Sequence, residues 1–286
     1  LATIETNHLM QGDSVNLSPN YIARSLMMDE MRRCYLAHGA ASLRLRGMGP
    51  RLLHLLSAYG VVPYDSYSTL KPVNLNVLAH RLQRATQAVH DFASLNAQGN
   101  RLLDEALGYL PGATVHMLGA DYTPQEFARS VCRDDEYQAL TSFTHHPFNA
   151  AFALEVPDNV NRDRLLNLPI DTLVALAERS LRAGHPLCWE GDTSEEGFNF
   201  TEGFARLTHH STAPTQEMRQ RAFETFRTTD DHCMAIVGLA HDAQGNRYFI
   251  MKNSWGTDNA FKGFMFMSFD YFRLKTIALW AQRECL

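Results

Sequence analysis

Two short segments hold the residue types that nucleophilic chemistry needs. Asp230-Asp231-His232-Cys233-Met234-Ala235-Ile236-Val237-Gly238 sets a histidine at the head of an apolar run. Lys252-Asn253-Ser254-Trp255-Gly256 ends the next strand-like run. Between them Ala243-Gln244-Gly245-Asn246 reads as a hairpin turn. Antiparallel pairing brings the start of one strand beside the end of its partner, so His232 and Asn253 become neighbours. An asparagine oxygen can take the proton of one imidazole nitrogen and fix the ring. The other nitrogen can then pair with a thiol and hold it as a thiolate. Trp255 is placed to cover the His–Asn bond and keep water from it, which strengthens it. Asp231 is either a solvated turn residue or a carboxylate favouring the charged imidazole.

The remaining thiols and histidines carry weaker signals. The five cysteines, Cys34, Cys132, Cys188, Cys233 and Cys285, include no CxxC pair. A thiolate zinc site or redox dithiol is therefore not expected, and the cysteines are too sparse for a disulfide scaffold. Strand alternation puts Cys233 on the face opposite His232, in the core. Cys188 reads as a buried thiol packing as a small hydrophobe, with a nucleophilic role as its alternative. His145-His146 and His209-His210 lack a third ligand at metal spacing and read as loop histidines, so no metal is expected.

Helices come first along the chain and strands later. Leu1 opens directly into helix interior with no cap, so preceding residues are expected. Ser18-Pro19 caps a second helix, Arg51 to Tyr59 forms a third, and Gly60 suits its end. One long amphipathic helix is expected from Val73 to about Asn96, then a turn through Gly99. Thr123-Pro124-Gln125-Glu126 caps another helix. Phe143 to Val156 reads as extended, and Ile170 to Leu181 as helix closing at Gly184. Strands are expected at His185–Glu190, Met234–Ala240, Arg247–Lys252 and Gly263–Met267. The order implies an α+β chain.

The 286 residues exceed the usual single-domain size, which leaves one large domain or two lobes open. Charged residues at 20% and hydrophobic residues at 45% exclude a disordered or collagen-like chain. A net charge of −5 argues against nucleic-acid binding through a positive field. No apolar run approaches the roughly 20 residues of a membrane span.

Asp231-His232 with its apolar strand, followed by Asn253-Ser254-Trp255-Gly256, resembles the papain-like cysteine peptidases. The hairpin spacing and Lys262-Gly263-Phe264 match as well. Within that clan the chain is more similar to the bleomycin hydrolase and aminopeptidase C branch. Thr123-Pro124-Gln125-Glu126-Phe127, Asn167-Leu168-Pro169-Ile170-Asp171 and Trp189-Glu190-Gly191-Asp192 carry that likeness. The resemblance implies a papain-like two-lobed fold, a helical lobe and an antiparallel β-rich lobe with the active-site cleft between them. The expected division is 1–140, including a helical insertion at about 66–140, and 141–286.

The same resemblance implies a cysteine-type peptidase acting through a thiolate/imidazolium pair and an acyl-enzyme. His232 and Asn253 take the catalytic positions, and Trp255 and Asp231 shape the site. Gly47, Met48 and Gly49 fall where the family lines its substrate cleft. The nucleophilic cysteine of the family falls upstream of Leu1. A peptide or protein substrate is implied, with no organic cofactor. Amino- versus endopeptidase action, homo-oligomerisation and compartment are left open. Two alternatives remain at this point: a papain-like protein that binds peptides without cutting them, and a thiol hydrolase using Cys188.

Overall fold

The computed structural model describes residues 1–69, 72–117, 119–208 and 212–286. His209 and His210 lie outside the described residues. In chain order the elements are α1 (Ala2–Met10), α2 (Pro19–Leu36), α3 (Gly49–Tyr59), α4 (Leu75–Gln87), α5 (Phe92–Leu107), β1 (Val115–Met117), β2 (Ala120–Tyr122) and α6 (Pro124–Val131). Then come β3 (Tyr137–Thr141), β4 (Ala151–Ala153), β5 (Arg164–Asn167), α7 (Ile170–Arg182), β6 (Leu187–Gly191), β7 (Phe198–Asn199), β8 (Phe204–Ala205) and α8 (Gln216–Glu224). The chain finishes with β9 (His232–His241), β10 (Arg247–Lys252), β11 (Phe264–Ser268), α9 (Phe269–Lys275) and β12 (Thr276–Gln282).

The chain forms two compact units. One comprises 15–47 and 51–134, the other 1–14, 48–50 and 135–286. In the first, α2, α4 and α5 pack around Met27, Met31, Leu82, Leu95 and Leu103, all fully buried. Ser18 caps α2 by accepting the Tyr21 N–H at 3.1 Å. Thr123 and Glu126 close a reciprocal capping box on α6.

The single helix expected from Val73 to Asn96 is instead two. α4 ends at Gln87, and Asp91 starts α5 by accepting the Ser94 N–H at 2.7 Å. The expected turn at Asn96–Gly99 lies inside α5. Gly99 is there for closeness rather than for bending, since a Cβ would stand 2.9 Å from the sulfurs of Met28 and Met31. Packing against α2 thus overrides the low helix propensity of glycine.

The second unit is built on a sheet whose order, among the described residues, is β4-β5-β3-β12-β6-β9-β10-β11-β8-β7. An antiparallel lobe was expected, but the sheet is mixed: β3 pairs parallel with β5, and β8 parallel with β11. The inner strands β12, β6, β9, β10 and β11 pair antiparallel. Their core holds Trp189, Phe249, Met251, Phe272 and Leu279, each with no exposed surface. The Trp189 indole N–H donates to Thr276 Oγ1 at 2.8 Å, so its polar atom is satisfied in the core. Truncating such a side chain costs about 3–5 kcal/mol.

The Phe143–Val156 stretch is not continuously extended. Only Ala151–Ala153 is strand, and Thr144–Asn149 turns. Buried Asn167 explains the turn. Its oxygen accepts the Phe143 N–H, and its amide donates to the Phe143, His146 and Pro147 carbonyls. These backbone groups find a side chain where a ladder would otherwise satisfy them.

Candidate active site

The β9–β10 hairpin positions the two residues singled out by type. Asp242 pins the turn: its carboxylate accepts the Gln244 and Asn246 N–H groups at 3.0 and 2.9 Å. Register then decides which side chains share a face. Ile250 pairs with Gly238, but Met251 pairs with Ile236, so β9 carries a one-residue bulge at Val237. Lys252 thereby pairs with Ala235. One step further, Asn253 faces the position of Met234 and lies on the His232 side. Without the bulge, Asn253 would fall beside Ala235, on the opposite face.

His232 Nε2 lies 2.7 Å from Asn253 Oδ1. The same oxygen accepts the Ser254 N–H at 2.7 Å, which identifies it as oxygen rather than the amide nitrogen. His232 must therefore donate from Nε2. In the neutral ring Nδ1 is then the unprotonated nitrogen, available to accept a thiol proton. Asn253 Nδ2 is buried without a partner, so the side-chain amide is held by its oxygen alone, while the backbone N–H of Asn253 donates to Gly263 O at 3.0 Å.

Trp255 lies over the imidazole with ring centroids 4.8 Å apart at 34°. Phe198 and Phe200 meet the indole edge-on at 5.7 and 5.5 Å. These aromatic contacts hold Trp255 against His232 although its outer side is exposed. No sequence signal marks either phenylalanine.

The entry to β9 is clamped by Asp192 and Asp230, which sequence reasoning did not single out for a role, and by Asp231, which it did. Buried Asp192 accepts the Thr229 N–H at 2.9 Å and lies 3.8 Å from buried Lys275. Asp230 is buried and accepts the Asp158 N–H at 3.1 Å. Asp231 is exposed. Its carboxylate accepts the Thr229 hydroxyl at 2.8 Å, and its N–H donates to Gly191 O.

Of the three proposed cleft residues, Met48 is buried and its N–H donates to Asp158 O at 3.3 Å. Gly49 lies so close to the Trp280 indole that a Cβ would stand 2.5 Å from it. At Gly47 a Cβ would meet the flexible Arg51 side chain. The close packing explains the glycine at position 49.

The β6–β9 register separates Cys188 from His232. Gly191 pairs with His232, Glu190 with Cys233 and Cys188 with Ala235, so Cys188, Glu190 and Cys233 share the face that His232 does not. Cys233 is exposed, not a core residue as expected. The neighbouring Cys188 thiol pushes Cys233 well up, and Cys233 pushes Cys188 down. The Thr3 hydroxyl donates to the Leu187 carbonyl at 3.4 Å. Burial pushes the Glu190 carboxyl well above the usual range, and its Oε2 has no partner. Cys188 therefore does not serve His232, which removes the hydrolase built on it.

Comparison with known proteins bears on the family and the fold of the chain. The family model described as "Peptidase C1-like family" matches residues 115–279. Aminopeptidase W of Lactobacillus delbrueckii subsp. lactis is 26% identical over 270 residues, covering 80% of this chain and 61% of that protein. Aminopeptidase G of the same organism is 25% identical over 147 residues, covering 49% of this chain and 33% of that protein. The chain thus spans less than two thirds of the length of these curated relatives. Among solved structures, PepW from Lactobacillus rhamnosis HN001 superposes with a TM-score of 0.67 at 19% identity, over 100% of this chain and 77% of that one. That likeness, with the family match, makes the α+β fold a papain-like one.

Proposed function

The chain belongs to the peptidase C1-like family, and on that premise we propose that it is a cysteine peptidase in which His232 and Asn253 form the acid–base pair. The nucleophile is a cysteine contributed by residues preceding Leu1. Among the chain's own thiols, Cys188 and Cys233 are turned to the other face of the sheet. Cys34, Cys132 and Cys285 are buried.

The observation that carries the reading is the 2.7 Å His232–Asn253 bond with its oxygen identified by the Ser254 N–H. It leaves Nδ1 as the base. Nδ1 takes the thiol proton, and the imidazolium stabilises the thiolate. The thiolate attacks the peptide carbonyl. His232 returns the proton to the leaving amine, giving the acyl-enzyme. It then takes a proton from water, whose oxygen attacks the acyl carbon and regenerates the thiol. Asn253 keeps the ring in place through these steps, and Trp255 shields their contact. Each step uses only side chains and water.

The names of the two curated relatives make a peptide with a free amino terminus the first substrate to test. Hydrolysis of aminoacyl-coumarin amides against amino-blocked peptides distinguishes exo- from endopeptidase action. His232→Ala should abolish either activity. Turnover undiminished in His232→Ala would overturn the proposal.

A further inference from the structure

The turn between β3 and β4 carries a cluster unrelated to the hairpin site. His145 Nε2 and Glu155 Oε2 are 3.2 Å apart, and His146 Nε2 and Glu155 Oε1 2.7 Å apart. All three donor atoms lie within 4.8 Å of one another. From these distances we propose that His145, His146 and Glu155 form a binding site for a divalent transition-metal ion of the Zn2+ class. Two imidazoles and a carboxylate suit that class, and bonds of about 2.0–2.1 Å set neighbouring ligand atoms about 3.3 Å apart. Each imidazole nitrogen already lies near that spacing from one carboxylate oxygen, His145 Nε2 from Oε2 and His146 Nε2 from Oε1.

Ring contacts hold the two imidazoles in place, although His145 and Glu155 are exposed. The His146 ring stacks on Phe152 at 4.0 Å, and the His145 ring on Phe223 at 5.6 Å and 13°. Asn167 ties down the His146 carbonyl. Buried Arg219 donates to Ser142 O at 2.7 Å, which fixes α8 beside the turn. Rings held this way lose little freedom on binding an ion. The face toward solvent leaves coordination positions for water.

Gln220 sets how readily the ion enters. Its oxygen accepts the Thr144 N–H at 2.6 Å, so its amide nitrogen faces His145 Nδ1 at 3.0 Å and Glu224 Oε1 at 2.9 Å. The metal-free tautomer of His145 thus carries its proton on Nε2, shared with Glu155. An ion at Nε2 moves that proton to Nδ1, and Gln220 must turn its oxygen toward the ring and release Thr144. Gln220→Glu offers oxygens to both groups. It should therefore bind the ion more tightly, by about ten-fold, despite facing Glu224.

The test is titration of the intact 286-residue chain with Co2+ followed by absorption, with Zn2+ competition and thermal melting of each variant. We expect one ion per chain and visible d–d bands without a thiolate charge-transfer band. Both should be lost in His146→Ala and in the conservative Glu155→Gln, with folding retained, and binding should be tighter in Gln220→Glu. No uptake at millimolar metal would overturn the proposal. So would uptake that persists in both loss variants or shows thiolate ligation. The readout is independent of peptidase activity.

Discussion

Val237 and Asn253 are linked through the register of one hairpin. The bulge at Val237 in β9 lets Asn253 share a face with His232 and accept its Nε2 proton at 2.7 Å. The His232–Asn253 hydrogen bond therefore depends on an extra residue that touches neither partner.

Deleting Val237 should restore an unbroken register and carry Asn253 to the other face. Peptidase activity should fall by about 10- to 100-fold, as expected when the orienting partner of a catalytic residue is lost. Thermal melting and turnover of the deletion variant check this. Activity kept with a native-like melt would contradict the register argument.

Asn253→Ala should lower kcat by about 10- to 100-fold with little change in KM, because the ring is then free to turn. Asn253→Asp keeps the acceptor and should recover part of the loss. Trp255→Ala should fall between the two, since the His–Asn bond survives but is opened to water. Steady-state kinetics of the three variants ranks them.

Glu190 gives a pH-dependent stability. Burial raises its carboxyl well above the ordinary value of 4.5, so the folded chain holds a proton that the unfolded chain has released. With more protons bound in the folded state, stability falls as pH rises from about 4.5 through the raised folded value. Glu190→Gln removes that decline. It should be more stable than the parent by at least about 1 kcal/mol at alkaline pH, with the gap closing toward pH 4. Denaturant melts at several pH values measure it, and a pH-independent gap would contradict the assignment.

The hairpin was legible because its signals are local: apolar runs, a Gly-Asn turn, and histidine and asparagine at the matching ends. The bulge was not: Gly238 inside the apolar run is the residue type that accompanies one, but only the pairing with β10 places it at Val237. The Val73–Asn96 helix ran too long because periodicity continues across the break that Asp91 makes. Asn96–Gly99 was misread because the glycine serves contact with Met28 and Met31, which lie far away in sequence. Glu155 escaped notice as a partner of His145 and His146 because β4 intervenes, and the turn held by Asn167 brings it back. Asp192 and Lys275 were likewise beyond sequence reach, since their pairing depends on the sheet.

The most direct measurement is the intact mass of the protein expressed from its natural start. It is taken before and after an epoxide inhibitor directed at thiol peptidases, with peptide mapping of any adduct. The account predicts one adduct per chain, on a cysteine preceding Leu1, absent in His232→Ala. No adduct, an adduct on Cys188 or Cys233, or labelling undiminished in His232→Ala would contradict it.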